Sequence, residues 1–524
     1  MNLPLVDGLL VIVLVGLVIG VGYWSRRFMR SVAQYTVAGR KMGMWLGLSM
    51  GFEIGLVSIA MSCQLGFTSG FSYIWLGLAG LLLVHIPIFG MWGLGIERYR
   101  ATNVQTLPQY YEMRFSRPVR IFSGITLALG GVLNMAIFPI VESHFLMEFL
   151  QIPNSVVLDV GFYQFSMFHV VLVIILTLAS FFTVIGGMVT GIITDYVQSV
   201  LIFVVLVVVS VLIVRNPGVA NMKAAVETHL GDAAFNPLSK QSIGPVFVMV
   251  FFLGAIIQRL AFPPSLQKMS STESPEAVRK VALFSYIFGQ GRGMILVLWG
   301  IAALALLGPL TPVGHDPEAY QRILGARMIR TMVEGIPLLT GFVLAGFIFA
   351  SISCNDTYLL SWGSVIANDC VAVIRGKPFT PKQHIRLLQL SSLGVAVLVF
   401  LFACWYSPKE TILQFLYLTG AIFGACGLLT WFGLYWKRTT SAGAWACLIL
   451  GLVLPISWFL FQRYFSSVLD GPDHQHLKTW INNDTAALTA TVVPALAMAA
   501  ISLCSRAPTK FVDYGQKLKQ MDPQ

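Results

Sequence analysis

Charge is the scarcest property of this sequence. Of 524 residues only 11% are Asp, Glu, Lys or Arg, whereas 56% are hydrophobic, and the mean hydropathy is +0.77. Soluble domains carry about 25% charged residues, and no soluble core could enclose so much apolar surface, so an ordinary globular enzyme is excluded. Polar insertions are short as well: those at 215–241, 263–280, 308–335, 370–385 and 463–484 all fall below the ~50 residues of a small domain. That excludes a catalytic site housed in a soluble domain. Cysteine is sparse, and Cys63, Cys354, Cys370, Cys404, Cys426, Cys447 and Cys504 all lie in or at the end of apolar runs. They read as small packing residues, and neither a disulfide framework nor a zinc finger is expected. An intramembrane enzyme would need a helix-borne H-E-x-x-H, which does not occur, or a G-x-S-x-G with a partnered histidine.

What the chain has is apolar length. Counting spans of about 20 residues, about thirteen candidate helices lie near 5–24, 44–66, 71–96, 119–150, 163–185, 189–214, 242–262, 281–307, 336–368, 386–406, 411–436, 440–462 and 485–504. The first run is too long for a signal peptide and lacks a basic segment before it and a small-residue cleavage site after it, so a retained span is expected. Basic residues in short loops set the orientation. The segment after the first run holds Arg26, Arg27, Arg30, Arg40 and Lys41 with no acid, and the next loop on that side holds Arg98, Arg100, Arg114, Arg117 and Arg120. These loops are expected in the cytoplasm, with the N-terminus outside and the tail, carrying Arg506, Lys510, Lys517 and Lys519, inside. The formal charge of +11 then follows from topology, and no nucleic-acid partner is expected. The chain reads as one all-α polytopic domain in the plasma membrane, a bacterial inner membrane by expectation, as a monomer or loose oligomer.

One run is anomalous. Asp195 stands inside "FFTVIGGMVTGIITDYVQSVLIFVVLVVVSVLIV", Phe181 to Val214, although a charge near a bilayer centre costs roughly 2.5 to 3.5 kcal/mol on insertion scales. Glu53, Asp356, Arg259 and Arg292 are also set deep in apolar runs. Two readings stand side by side: the acids and arginines pair with one another inside the bundle, avoiding part of the desolvation penalty, or they contact an ion, a proton or a solute directly. Glu142 and His144, near the outer end of the run at 119–150, are expected to be wet.

Four stretches carry a resemblance. "QYTVAGRKMG" (Gln34 to Gly43) resembles D-Y/F-x-x-A-G-R, "TLPQYYEMRF" (Thr106 to Phe115) T-L-P-E-Y-L-x-x-R-F, "TVIGGMVTGIITDYVQ" (Thr183 to Gln198) Y-T-x-x-G-G-x-x-A-V-x-x-T-D-x-x-Q, and "LQKMSSTESPEAVRKV" Q-R-x-x-A-x-x-x-x-x-E-A-x-x-G. All are patterns of the sodium:solute symporter family. The resemblance implies a LeuT-type core of two inverted five-helix repeats: a first helix and inner loop at 1–43, repeat one at 44–214, repeat two at 242–436, and two C-terminal helices with the tail at 437–524. In such transporters solute and ion bind at mid-membrane, where the first helix of each repeat is broken and its unwound backbone offers free N–H and C=O groups. Gly47, Gly51, Gly55 and Gly66 in one run, and Pro263 with Pro264 after another, are expected breaks, against close packing and an ordinary helix end as the alternatives.

The resemblance also implies an ion site. It puts Asp195 close to a sodium ion held by Glu53 and Leu56 through backbone carbonyls, by the Ala350 carbonyl and by the Ser353 hydroxyl, with Cys354 in the remaining position. Two departures follow: a thiol is a poor ligand for a hard cation, and the family carries a small residue where this chain has Glu53. Sodium is the expected coupling ion, and no other cofactor is expected; protonation of Glu53 or Asp356 is the alternative. The solute is expected to be small, polar and organic, contacted or gated by Phe52, Gln64, Gln258, Arg259, Phe262 and Asp356. A sensor that keeps the transporter fold is the remaining alternative, and the short tail after Ser505 argues against it.

Overall fold

In a bilayer every backbone polar group has to be satisfied within the protein, so apolar runs of this length become helices. The computed structural model describes residues 3–153, 156–159, 161, 164–309, 316–406, 412–465, 482–506 and 511–521. Its principal helices are α1 (Leu5–Ser25), α2 (Met44–Phe52), α3 (Leu56–Ser69), α4 (Ser72–Gly80), α5 (Arg117–Phe149), α6 (Met167–Arg215), α7 (Pro245–Ile257), α8 (Pro263–Ser270), α9 (Pro275–Leu307), α10 (Pro317–Val333), α11 (Leu339–Val365), α12 (Pro381–Trp405), α13 (Ile412–Tyr435), α14 (Ser441–Phe465) and α15 (Asn483–Cys504). A short antiparallel pair, Val157–Asp159 with Gln164–Ser166, precedes α6. Among the described residues nine helices are long and apolar enough to cross a bilayer, or eleven if each of two bent pairs counts as one span. The runs expected at 163–185 and 189–214 are the two arms of α6, and the run expected at 411–436 is α13. Most of the insertion at 463–484 lies outside the described residues.

Both bent pairs fall where breaks were expected. The axes of α2 and α3 differ by 43° across an extended link at Glu53–Gly55, and those of α7 and α8 differ by 48°. Pro263 and Pro264 open α8, where their missing N–H groups cost no helix bond. Gly47, Gly51 and Gly66 instead serve packing: each lies against α9, where a Cβ would come within 2.7 Å of Val281, Ser285 or Val297. Between the arms of α6 the chain turns at Gly187 (φ 54°, ψ −140°), and a Cβ there would sit 2.6 Å from the Tyr35 carbonyl oxygen. Glycine alone fits that position. Tyr35 locks the turn from the other side, its hydroxyl donating to the Thr183 carbonyl at 2.9 Å.

α11 is the enclosed centre, buried along nearly its whole length against α6, α12, α5 and α1. Its N-terminus is capped by Asp7 of α1, which accepts from the Gly341 N–H at 2.6 Å. Asp369, just past its other end, pairs with Arg120 of α5 at 2.8 Å. The arginines that signalled a cytoplasmic loop have local partners too. Arg98 and Arg114 donate to the carbonyls of Leu434 and Gly433 at the end of α13, each at 3.2 Å, and Arg100 donates to the Thr272 carbonyl at 2.7 and 2.9 Å. Cations at helix C-termini satisfy orphan carbonyls and favour the dipole.

Candidate functional site

The first break leaves the carbonyls at the end of α2 without helical partners. Arg292 of α9 takes two of them, donating from Nη1 to Gly51 at 2.8 Å and to Glu53. The Glu53 carboxylate is taken by Lys268 of α8. Lys268 Nζ also donates to Asp195 Oδ2 at 2.9 Å, and the other oxygen of Asp195 accepts from Ser353 Oγ at 2.5 Å. Asp195 and Lys268 are buried, at 1% and 5% exposure. Next to Lys268, Gln267 fixes the register of α8 by donating to the Thr36 carbonyl at 2.7 Å and accepting from Ser361 at 2.7 Å. The α2–α3 link and α6 therefore meet on the ammonium of α8, with α9 and α11 joined to the network through Glu53 and Asp195.

Two cavities open beside this network. One, of about 270 Å³, is lined by Glu53, Arg259, Phe262, Lys268, Arg292 and Cys354, among others. The second, of about 360 Å³, is lined by His85, Gln258, Arg259, Phe262, Ser265 and Gln290, among others. Phe262 packs edge-on against Tyr358, Trp362 and Phe423 at 5.5 to 5.9 Å, so the wall common to both cavities is rigid.

The expected residues divide accordingly. Glu53, Asp195 and Ser353 do converge, Cys354 lines the smaller cavity, and Gln258, Arg259 and Phe262 line the larger. Leu56 and Ala350 are fully buried beside them in α3 and α11. Arg259 is not the partner of Glu53: Lys268, whose side chain the sequence reading did not single out, holds that place. Its signal was available, because Lys268 occupies the motif position written as Arg, opposite the position where Glu53 replaces a small residue. Gln64 lines neither cavity; two turns beyond the break, its amide donates to Glu318 and Gln321 at 3.3 Å. Asp356 lies outside both linings, its carboxylate met by the Thr357 hydroxyl at 3.3 Å and its second oxygen unpartnered among the described residues. The side chain of Phe52 lies outside the described residues.

Glu142 is not wet. It is fully buried, and its Oε2 accepts from Ser351 and Asn355 at 2.7 Å each, near the Val57 N–H in the first turn of α3. A carboxylate there caps the second half of the broken helix. His144 is exposed and stacks on Phe168. Ser49, in the string G-L-S-M-G at Gly47–Gly51, donates to the Leu46 carbonyl at 2.6 Å within α2 rather than to a histidine.

Sodium requires oxygen donors, and Asp195 and Ser353 supply them. Both oxygen-bearing groups of Glu53 are engaged by cations of the chain, however: its carbonyl by Arg292, its carboxylate by Lys268. A cation placed between Glu53 and Asp195 would meet the ammonium of Lys268 there, and like charges at such separations repel strongly in a low dielectric.

The comparisons agree with this architecture. The profile of the sodium:solute symporter family matches residues 35–451. A sodium/proline symporter of Staphylococcus aureus (strain NCTC 8325 / PS 47) is 25% identical over 464 residues, covering 84% of this chain and 83% of that protein. The fold is similar to that of a Na+-coupled sialic acid symporter solved in a substrate-bound, outward-open state, with a TM-score of 0.77, 17% identity, and coverage of 97% and 99% of the two chains. It is also similar to that of Mhp1, a nucleobase-cation-symport-1 family transporter, with a TM-score of 0.54, 14% identity, and coverage of 92% and 97%. Two helices broken around a charged cavity, on a LeuT-type scaffold and under a profile that spans most of the chain, make this protein a member of the sodium:solute symporter family, a transporter that couples a solute to sodium.

Proposed function

We propose that the protein carries a small polar organic solute across the plasma membrane, a bacterial inner membrane, by alternating access. The solute binds in the cavities at the two helix breaks. Repeat one (44–214) and repeat two (242–436) rock about that site, with 1–43 and 437–524 as flanking helices, the N-terminus outside and the C-terminus in the cytoplasm. The observation that carries this reading is the meeting of both breaks on one cavity wall that bears Glu53, Arg259, Lys268 and Arg292. Unwound backbone and buried charge at mid-membrane are costly unless they serve a ligand.

The driving cation binds between Glu53 and Asp195, where Lys268 competes with it. Asp195 contributes directly, and Ser353 positions it. Lys268, with Arg292 beside Glu53, thus keeps the two acids compensated when no sodium is present, which lowers the apparent sodium affinity and leaves the site neutral during the return of the empty carrier.

Reconstitution tests the reading. Purified protein in proteoliposomes should accumulate a labelled solute from a panel of amino acids, sugars, carboxylates and vitamins only under an inward sodium gradient. Accumulation of none of them, or equal uptake with choline in place of sodium, would sink it. For orientation, a membrane-impermeant maleimide applied to intact cells should label Lys240→Cys and spare Ser31→Cys. The opposite pattern would invert the topology.

A further inference from the structure

We propose that the transported solute bears a carboxylate and that Arg259 binds it. This deepens the reading of the cavities as the solute site and rests on it. Three cations face the smaller cavity, and two of them are compensated. Lys268 has the carboxylates of Glu53 and Asp195. Arg292 has the carbonyls of Gly51 and Glu53 at the end of α2. Arg259 has neither: among the described residues no carboxylate pairs with it, its Nε lacks a hydrogen-bond partner, and its guanidinium lies over the Tyr286 ring at 4.5 Å.

That position is unusual chemically. A guanidinium held within the membrane interior without a counter-anion is costly, and chains retain one where a ligand or partner completes it. Stacking on Tyr286 orients the plane. Arg259 is also shared by the linings of both cavities, so it borders both spaces. Its fork matches a carboxylate in two parallel hydrogen bonds. Gln258, Ser265 and Gln290 on the larger cavity supply neutral donors and acceptors for the rest of the molecule, and Phe262 supplies an apolar wall. Cavities of about 270 and 360 Å³ suit a small organic acid rather than a peptide or a lipid.

The test is ligand-dependent thermal stabilisation of the purified full-length protein in detergent and sodium buffer. The probes are acid and amide pairs: lactate with lactamide, benzoate with benzamide, N-acetylalanine with N-acetylalaninamide, and gluconate with its neutral counterpart glucitol. Chloride against sulfate is run as a separate arm. At least one acid should stabilise the wild type while its uncharged counterpart does not. Arg259→Gln should raise the half-saturating concentration of that acid by about 10-fold to 100-fold, the loss of a charge-assisted pair. Arg259→Lys should recover part of it, which a purely structural role would not do. Stabilisation by uncharged members alone, or by an acid to the same extent in Arg259→Gln, overturns the proposal while leaving the cavity as a solute site. Stabilisation by chloride alone assigns Arg259 a permanent inorganic counter-ion and also overturns it. Indifference to every probe, acid and neutral alike, removes the reading of the cavity together with the proposal. Should Arg259→Gln fail to fold, the acid and amide comparison on the wild type and Arg259→Lys decides alone.

Discussion

The two broken helices solve the same problem in opposite ways. At the first break, between α2 and α3, the freed groups are negative or electron-rich: the carbonyls of Gly51 and Glu53 and the Glu53 carboxylate, all met by cations that other helices supply. The N-terminus of α3 is met by the Glu142 carboxylate. At the second break, between α7 and α8, the chain supplies cations, Arg259 before the bend and Lys268 after it, and the helix restarts on Pro263 and Pro264, which present no N–H. One of those cations, Lys268, crosses to the first break. The other, Arg259, pairs with no carboxylate among the described residues. The first break is therefore compensated by the chain itself, whereas the second keeps a cation without a carboxylate among the described residues, the asymmetry on which the proposed role of Arg259 rests.

Breaking this complementarity should be most costly where the two halves touch. Glu53→Gln leaves the buried Lys268 with Asp195 alone, and the loss of a buried ion-pair partner costs about 3–5 kcal/mol. Adding Lys268→Met should deepen that loss, because Asp195 is then left buried without a cation. Unfolding in mixed micelles measures both; a stable single variant, or a double variant as stable as the single, would show that the first break does not depend on the second. A smaller effect is expected at the restart of α3. Glu142→Ala removes the acceptor for Ser351 and Asn355 and the anion beside the first turn of α3, at a cost of about 1–3 kcal/mol, and hydrogen exchange should rise first at Val57. Unchanged protection there would remove Glu142 as a cap. Least of all should come from Pro264→Ala, below about 1 kcal/mol, since a proline at a helix start only restricts the unfolded chain. A larger loss would mean that the ring itself shapes the second break.

Much of this was legible in residue order. Apolar run lengths marked the spans, a motif string singled out Asp195, the family resemblance pointed to Ser353, and a double proline after an apolar run marked the second break. What stayed hidden was partner choice. Arg259 and Lys268 stand on either side of one bend, and which of them reaches Glu53 depends on the 48° change of axis and on the anchoring of Gln267, neither of which composition encodes. Glu142 was misjudged for a related reason: its position on α5 suggested a wet helix end, but the break in another helix brings a backbone N–H to it. Gln64 was placed near a break by sequence distance, whereas two helical turns carry it to α10. In each case the difference came from contacts between elements far apart in the chain.

The central claim is that Lys268 holds the cation position between Glu53 and Asp195 in competition with sodium. Sodium-dependent thermal stabilisation of the purified protein, titrated in choline buffer for the wild type, Lys268→Arg and Lys268→Met, tests it most directly, because the readout is the shift with sodium and not the absolute midpoint. Removing the tethered charge should tighten the apparent sodium affinity of Lys268→Met by about tenfold or more, equivalent to about 1.4 kcal/mol, while Lys268→Arg stays as weak as the wild type. An unchanged or weaker sodium response in Lys268→Met would contradict the account and make the ammonium a structural partner of the two acids alone.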